Sequence, residues 1–125
     1  MSYQTVIVVG HLGRDPEYNT LDNGKVVCQF SVACRQSAKG SPPVWFQVKA
    51  WGKLAETCQT YLQKGRQVLI QGSLVADETG GPKVWVRKDN TPVASFQINA
   101  DLVRFLSPKE ETLLNEGELN VDIGF

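Results

Sequence analysis

The chain has 125 residues, 42% of them hydrophobic and 21% charged, with thirteen Lys/Arg balancing thirteen Asp/Glu. That length and balance fit one globular domain with a real core, and no apolar run reaches the length of a membrane-crossing helix. The opening MSYQTVIVVG lacks the basic region and cleavage site of a secretion signal. Three cysteines without framework spacing suit a reducing, cytoplasmic setting rather than a disulfide scaffold.

A first strand is expected from about Tyr3 to Leu12, ended by Gly13-Arg14-Asp15-Pro16. Asp22-Asn23-Gly24 signals a turn into a second strand, about Lys25 to Arg35. Val26, Cys28, Phe30, Val32 and Cys34 form its apolar face, with Gln29, Ser31 and Arg35 mainly opposite. Both strand cysteines read as small core residues. After a polar, Pro-rich loop, the third strand runs Val44 to Trp51. A helix follows, about Leu54 to Gln63, with Leu54, Cys58, Tyr61 and Leu62 on one face and Lys64-Gly65 as its stop. A fourth strand spans Gln67 to Val75. Asp77 to Pro92 is a long excursion around Lys83–Lys88, expected as a hairpin arm. The fifth strand, Ala94 to Leu106, carries Phe96, Ile98, Ala100 and Leu102 on one face. Pro108 ends it, and the remainder lacks core-forming periodicity and is expected to be disordered. The domain is therefore 1–106 and the tail 107–125.

This order, three strands, a helix, then two strands, is that of an OB-fold: an all-β, five-stranded Greek-key barrel with one helix between its third and fourth strands. The excursion between the fourth and fifth strands is then the kind of loop such barrels use to hold oligonucleotides.

The third strand is the most informative segment. Phe46, Val48 and Ala50 point to one side, and Trp45, Gln47, Lys49 and Trp51 to the other. Two indoles and an ammonium on a face that a core does not need suit base stacking and phosphate neutralisation. The alternative is that both tryptophans are packing or interface residues. Six residues of strand separate the indoles by about 20 Å, which suits separate bases. Arg14, Arg35, Lys49 and Lys53 fall where they would follow the edges of such a groove. Trp85, flanked by Lys83, Arg87 and Lys88, repeats the aromatic-plus-basic theme on the arm, where an oligomer or core contact is the competing role. Charge agrees: residues 1–106 carry twelve Lys/Arg against eight Asp/Glu, and residues 107–125 carry one against five. A basic body with an acidic tail suits a polyanionic ligand.

Catalytic chemistry finds little support. His11 is the only histidine, at a strand end, and the cysteines read as buried. Cys28, Cys34, Cys58 and His11 lack the close spacing of a structural zinc site, so no metal and no cofactor is expected. Gly10-His11-Leu12-Gly13 matches neither a P-loop nor a dinucleotide fingerprint; its glycines read as devices for barrel curvature or a bulge.

VIVVGHLGRDPE (Val6–Glu17), DNGKVVCQFSVA (Asp22–Ala33), WFQVKAWGKLAETCQTYLQKGRQVLIQG (Trp45–Gly72) and the terminal VDIGF together resemble the bacterial-type single-stranded DNA-binding protein family. The resemblance implies an OB-fold subunit, usually a homotetramer, that coats single-stranded DNA without sequence preference in replication, recombination and repair. It implies stacking on Trp45 and Trp51, and phosphate contacts near Lys53 and Lys64. It further implies docking of an acidic tip, here Asp122, Ile123 and Phe125, into genome-maintenance enzymes. The chain departs from the family pattern in its short tail, in Gly124 where proline is usual, in a short 36–43 loop without a stacking aromatic, and in a longer 77–92 arm. An accessory paralogue acting in replication restart or transformation, and an oligomeric interaction protein that binds no DNA, stay open on the residues alone.

Overall fold

A computed structural model describes residues 2–106; the tail, with its expected disorder and its tip Asp122, Ile123 and Phe125, lies outside the described residues. The strands are β1 (Val6–Leu12), β2 (Glu17–Thr20), β3 (Val26–Cys34), β4 (Val44–Trp51), β5 (Gln67–Leu74), β6 (Lys83–Val86) and β7 (Pro92–Phe105). The helix α1 (Lys53–Tyr61) lies between β4 and β5. Strands β1, β5, β7, β4 and β3 are neighbours in that order, and β1 pairs back onto β3 at His11–Ala33 and Leu12–Val32. The ring therefore closes. This is the expected five-stranded OB barrel, with its helix between the third and fourth barrel strands.

Closure needs close backbone approach where β1 meets β3. A Cβ on Gly10 would stand 2.2 Å from the carbonyl oxygen of Ala33, so only glycine fits there. The interior is filled by alternate residues of the strands and by one helix face. Val8, Phe30, Val32, Val48, Val68, Ile70 and Ile98 are buried, and Ala55 and Cys58 of α1, with Leu62 just after it, plug the barrel. Burial pushes the Cys28 thiol up to about 11; burial, and then the nearby Cys28, push Cys58 up to about 12. Both thiols stay neutral because an apolar core disfavours the thiolate.

The structure corrects several expectations. Strand β1 starts at Val6 rather than Tyr3. A short strand, β2, was not expected: EYNT is polar, and it is held by antiparallel register with β3 (Tyr18 opposite Cys28) across the Asp22–Gly24 turn. The helix ends at Tyr61 with Leu62 extended, so Lys64-Gly65 is not its cap. Gly65, at φ 87°, instead turns the chain back so that its N–H donates to the Leu12 carbonyl at 2.9 Å.

The parity of β7 also changes. Gln71 pairs with Leu102 but Gly72 pairs with Ala100, so Asp101 is an extra residue, a bulge. Beyond it Val103 and Phe105 face the core, and Leu102 leaves it. Cys34 packs against the core as expected but is only half-buried, because it sits at the end of β3 on a groove wall.

Candidate nucleic-acid interface

Strand β4 holds the centre of the site. Its two edges pair with β3 (antiparallel, Ala33 opposite Trp45 and Val27 opposite Trp51) and β7 (parallel, Gln47 opposite Gln97 and Lys49 opposite Asn99). The outer face is therefore three strands wide. Phe46, Val48 and Ala50 point inward as expected, and Trp45 and Trp51 are 46% and 40% exposed on the outer face. Between them lie Gln47, whose side-chain oxygen accepts from Ser31 Oγ at 3.0 Å, and half-buried Lys49.

Each indole has a seat. A Cβ on Gly13 would lie 2.5 Å from the Trp45 ring, so that ring rests on the bare backbone of the turn after β1. Gly13 also donates its N–H to the Ser31 carbonyl at 3.1 Å, which fixes the turn against β3. The expectation that this glycine serves curvature is replaced by this contact. Trp51 donates Nε1–H to Asn99 Oδ1 at 3.3 Å. Val27, opposite Trp51 and on the same outer parity, is only 2% exposed, so the outer face is covered locally as well as displayed.

The arm joins this surface. Strand β6 pairs antiparallel with the first half of β7, Trp85 opposite Val93. Side-chain carboxylates tie its two turns. Asp77 accepts from the Thr79 hydroxyl at 2.6 Å and from the Thr79 and Gly81 N–H groups, and Asp89 accepts from Thr91 N–H at 3.0 Å. The Thr79 and Thr91 hydrogen bonds hold the respective carboxyls below the usual aspartate range. Trp85 donates Nε1–H to Ser95 Oγ at 2.9 Å. A cleft of about 470 Å³ then runs between Trp45, Gln47, Trp85, Arg87 and Pro43. Trp85 and Arg87 thus share a cleft with Trp45, whereas Lys88 is at the arm tip in the turn closed by the Arg87 N–H and Thr91 carbonyl.

The remaining basic residues ring the face. Arg14 follows the Gly13 seat and is exposed. Lys64, also exposed, is drawn to the same corner by its own N–H, which donates to Asp15 Oδ1 at 2.8 Å. Lys53 is exposed in the first turn of α1, just past Trp51. Arg35 lies past Ala33 in a second groove of about 1050 Å³ that also includes His11, Cys34, Lys39 and Gln67. The structure therefore gathers Trp45, Trp85, Arg87 and Arg14 toward one end, Trp51 and Lys53 toward the other, with Lys49 between them. Sequence reasoning missed Gly13, Ser95 and Asn99. For Ser95 and Asn99 the signal was the polar alternation Ser95, Gln97, Asn99 on the last strand, whose partners only register discloses. Among the described residues no group of three or more His, Cys, Asp or Glu side chains could hold a metal ion, and no helix is long and apolar enough to cross a membrane.

The family model described as "Single-strand binding protein family" matches residues 3–106, the whole barrel and arm. The chain belongs to the single-strand binding protein family. Relatives agree with that membership. The Synechocystis sp. "Single-stranded DNA-binding protein 1" is 46% identical over 114 residues, 89% of each chain. The Nostoc sp. protein of the same description is 32% identical over 111 residues, again 89% of each chain. The Neisseria meningitidis "Single-stranded DNA-binding protein" is 32% identical over 117 residues, 89% of this chain and 64% of its own. The single-strand binding family consists of non-enzymatic DNA-binding proteins.

Proposed function

We propose that the chain binds and protects single-stranded DNA without sequence preference during replication, recombination and repair. The single observation that carries this reading is the outer face of β4, with Trp45 and Trp51 exposed at its two ends and Lys49 between them. A stacked base meets the flat indole whatever its identity, so stacking tolerates any sequence. Trp85 continues the row on the arm. Arg14, Arg35, Lys49, Lys53, Lys64, Arg87 and Lys88 neutralise phosphates along the strand. Duplex DNA is a poor ligand, because paired and stacked bases do not reach the indoles.

The same reading includes assembly with further copies, as a homotetramer. Strand β1 pairs with β5 along Val6–His11, but on its other side it meets β3 only at His11 and Leu12. The edge from Val6 to Val9 has no pairing strand on that side among the described residues, and Ile7 on it is 60% exposed. An open edge with an apolar side chain is a template for a second strand. The reading places the protein in the bacterial cytoplasm with the nucleoid, and gives Asp122, Ile123 and Phe125 the recruitment of replication and repair enzymes.

Titration with oligo-dT while following tryptophan emission tests the proposal. Stoichiometric quenching is expected, with log K falling linearly with log salt by about 0.7 for each phosphate neutralised. A duplex of equal length is expected to leave emission nearly unchanged. A stable oligomer whose emission ignores oligo-dT would assign the tryptophans to a protein interface and overturn the reading.

A further inference from the structure

Two side chains of β7 hold the indoles that lie beside them. Ser95 and Asn99 sit four residues apart on one face of the strand, with Gln97 between them. Ser95 Oγ accepts Nε1–H of Trp85 at 2.9 Å, and Asn99 Oδ1 accepts Nε1–H of Trp51 at 3.3 Å. One strand therefore reaches both an arm tryptophan and a barrel tryptophan that are 34 residues apart in the chain.

We propose that Ser95 and Asn99 are positioning residues for the stacking surface, which set the angles of the Trp85 and Trp51 rings. The proposal rests on the single-strand reading above. An indole offers one polar group, a donor. In a half-exposed ring that donor is held by water unless the protein supplies an acceptor, and a base laid over the ring displaces that water. An acceptor within the protein removes the penalty and sets the ring's angle before the strand arrives. What remains exposed is the ring face, which every base stacks on alike.

The experiment uses the full chain and its three indole N–H signals in ¹H–¹⁵N NMR spectra, together with oligo-dT titration at one fixed salt concentration. Asn99→Leu removes the acceptor at similar size, Ser95→Ala removes the hydroxyl, and Ser95→Thr keeps it. In Asn99→Leu the Trp51 signal is expected to shift and exchange faster with solvent, and in Ser95→Ala the Trp85 signal. Each of these variants is expected to bind oligo-dT about 3- to 10-fold more weakly, the factor equivalent to one ordinary hydrogen bond. Ser95→Thr restores both signal and affinity. A double-mutant cycle separates positioning from general weakening: phenylalanine has no N–H, so Asn99→Leu added to Trp51→Phe is expected to cost nothing further. If Asn99→Leu does not fold, Asn99→Ala replaces it in the cycle. Affinity unchanged within twofold in both single variants, with the N–H signals moved, overturns the positioning roles and leaves the single-strand reading standing. An equal loss from Asn99→Leu in the presence and absence of the Trp51 N–H overturns the positioning role of Asn99. Wild-type protein that is not quenched at all removes the single-strand reading itself.

Discussion

The double substitution Trp45→Ala/Trp51→Ala is expected to lower oligo-dT affinity by about 30-fold or more while the barrel stays folded. A stacked base contributes about 1–3 kcal/mol by alanine substitution, so two sites together remove about 2–6 kcal/mol. The fold does not depend on these rings to the same degree. Both are close to half exposed on the outer face, and the barrel interior is filled by the opposite parity of β4. Trp45 touches Gly13, and Val27 lies under the Trp51 end, so some stability is lost, on the order of 1 kcal/mol. A thermal melt and an anisotropy titration with labelled oligo-dT read the two quantities separately. The salt slope is expected to stay near its wild-type value, since the basic residues are intact and the stacking contribution is not ionic. Wild-type affinity in the double variant would place the strand elsewhere on the molecule.

Gly72→Val is expected to have the largest effect on stability. A Cβ at this position would stand 2.0 Å from the Asn99 carbonyl oxygen and 2.9 Å from its carbon, both backbone atoms. Backbone cannot swing aside as a side-chain end can, so β5 and β7 must separate where the Asp101 bulge already bends the ladder. Overpacking of this kind costs about 1–3 kcal/mol in a core that can adjust, and more where the clash is with a strand. Against a total stability of about 5–15 kcal/mol, the variant is expected to melt at least 10 °C lower or to accumulate unfolded. Gly81→Ala is the matched control. Its nearest neighbour is the Thr79 hydroxyl at 3.6 Å, and its melting temperature is expected to stay within about 2 °C of wild type. A Gly72→Val protein as stable as that control would mean that the two strands are not in contact in solution.

What the sequence carried depended on how local the cause was. The outward set Trp45, Gln47, Lys49 and Trp51 was legible because period-two alternation in one strand needs no partner to be seen, and β4 runs Val44–Trp51 as expected. The barrel order followed from the sequence of apolar runs and turn signals. Strand β2 was not legible, since four polar residues become a strand only when β3 offers its edge. Leu102 was placed on the wrong face because a one-residue bulge reverses parity without any mark in local composition. The indole anchors were hidden for a related reason. Trp51 and Asn99 are 48 residues apart, and they meet only through the parallel register of β4 and β7. Gly13 looked like any turn glycine, and only the ring lying across it says why a side chain is excluded there.

The uneven burial of the three cysteines makes the protein a ready substrate for site-selective chemistry. Cys28 and Cys58 are sealed in the core with thiols pushed up to about 11 and about 12, while Cys34 opens onto the groove shared with Arg35 and Lys39. Since the thiolate is the reactive species, a maleimide at neutral pH is expected to add once per folded chain, at Cys34, and three times after denaturation. Mass spectrometry of the intact protein counts the additions; a second addition without denaturant would show that the barrel opens around Cys28 or Cys58. A fluorophore attached this way reports from beside the basic rim without an engineered cysteine, and leaves the native tryptophans free as an independent second signal.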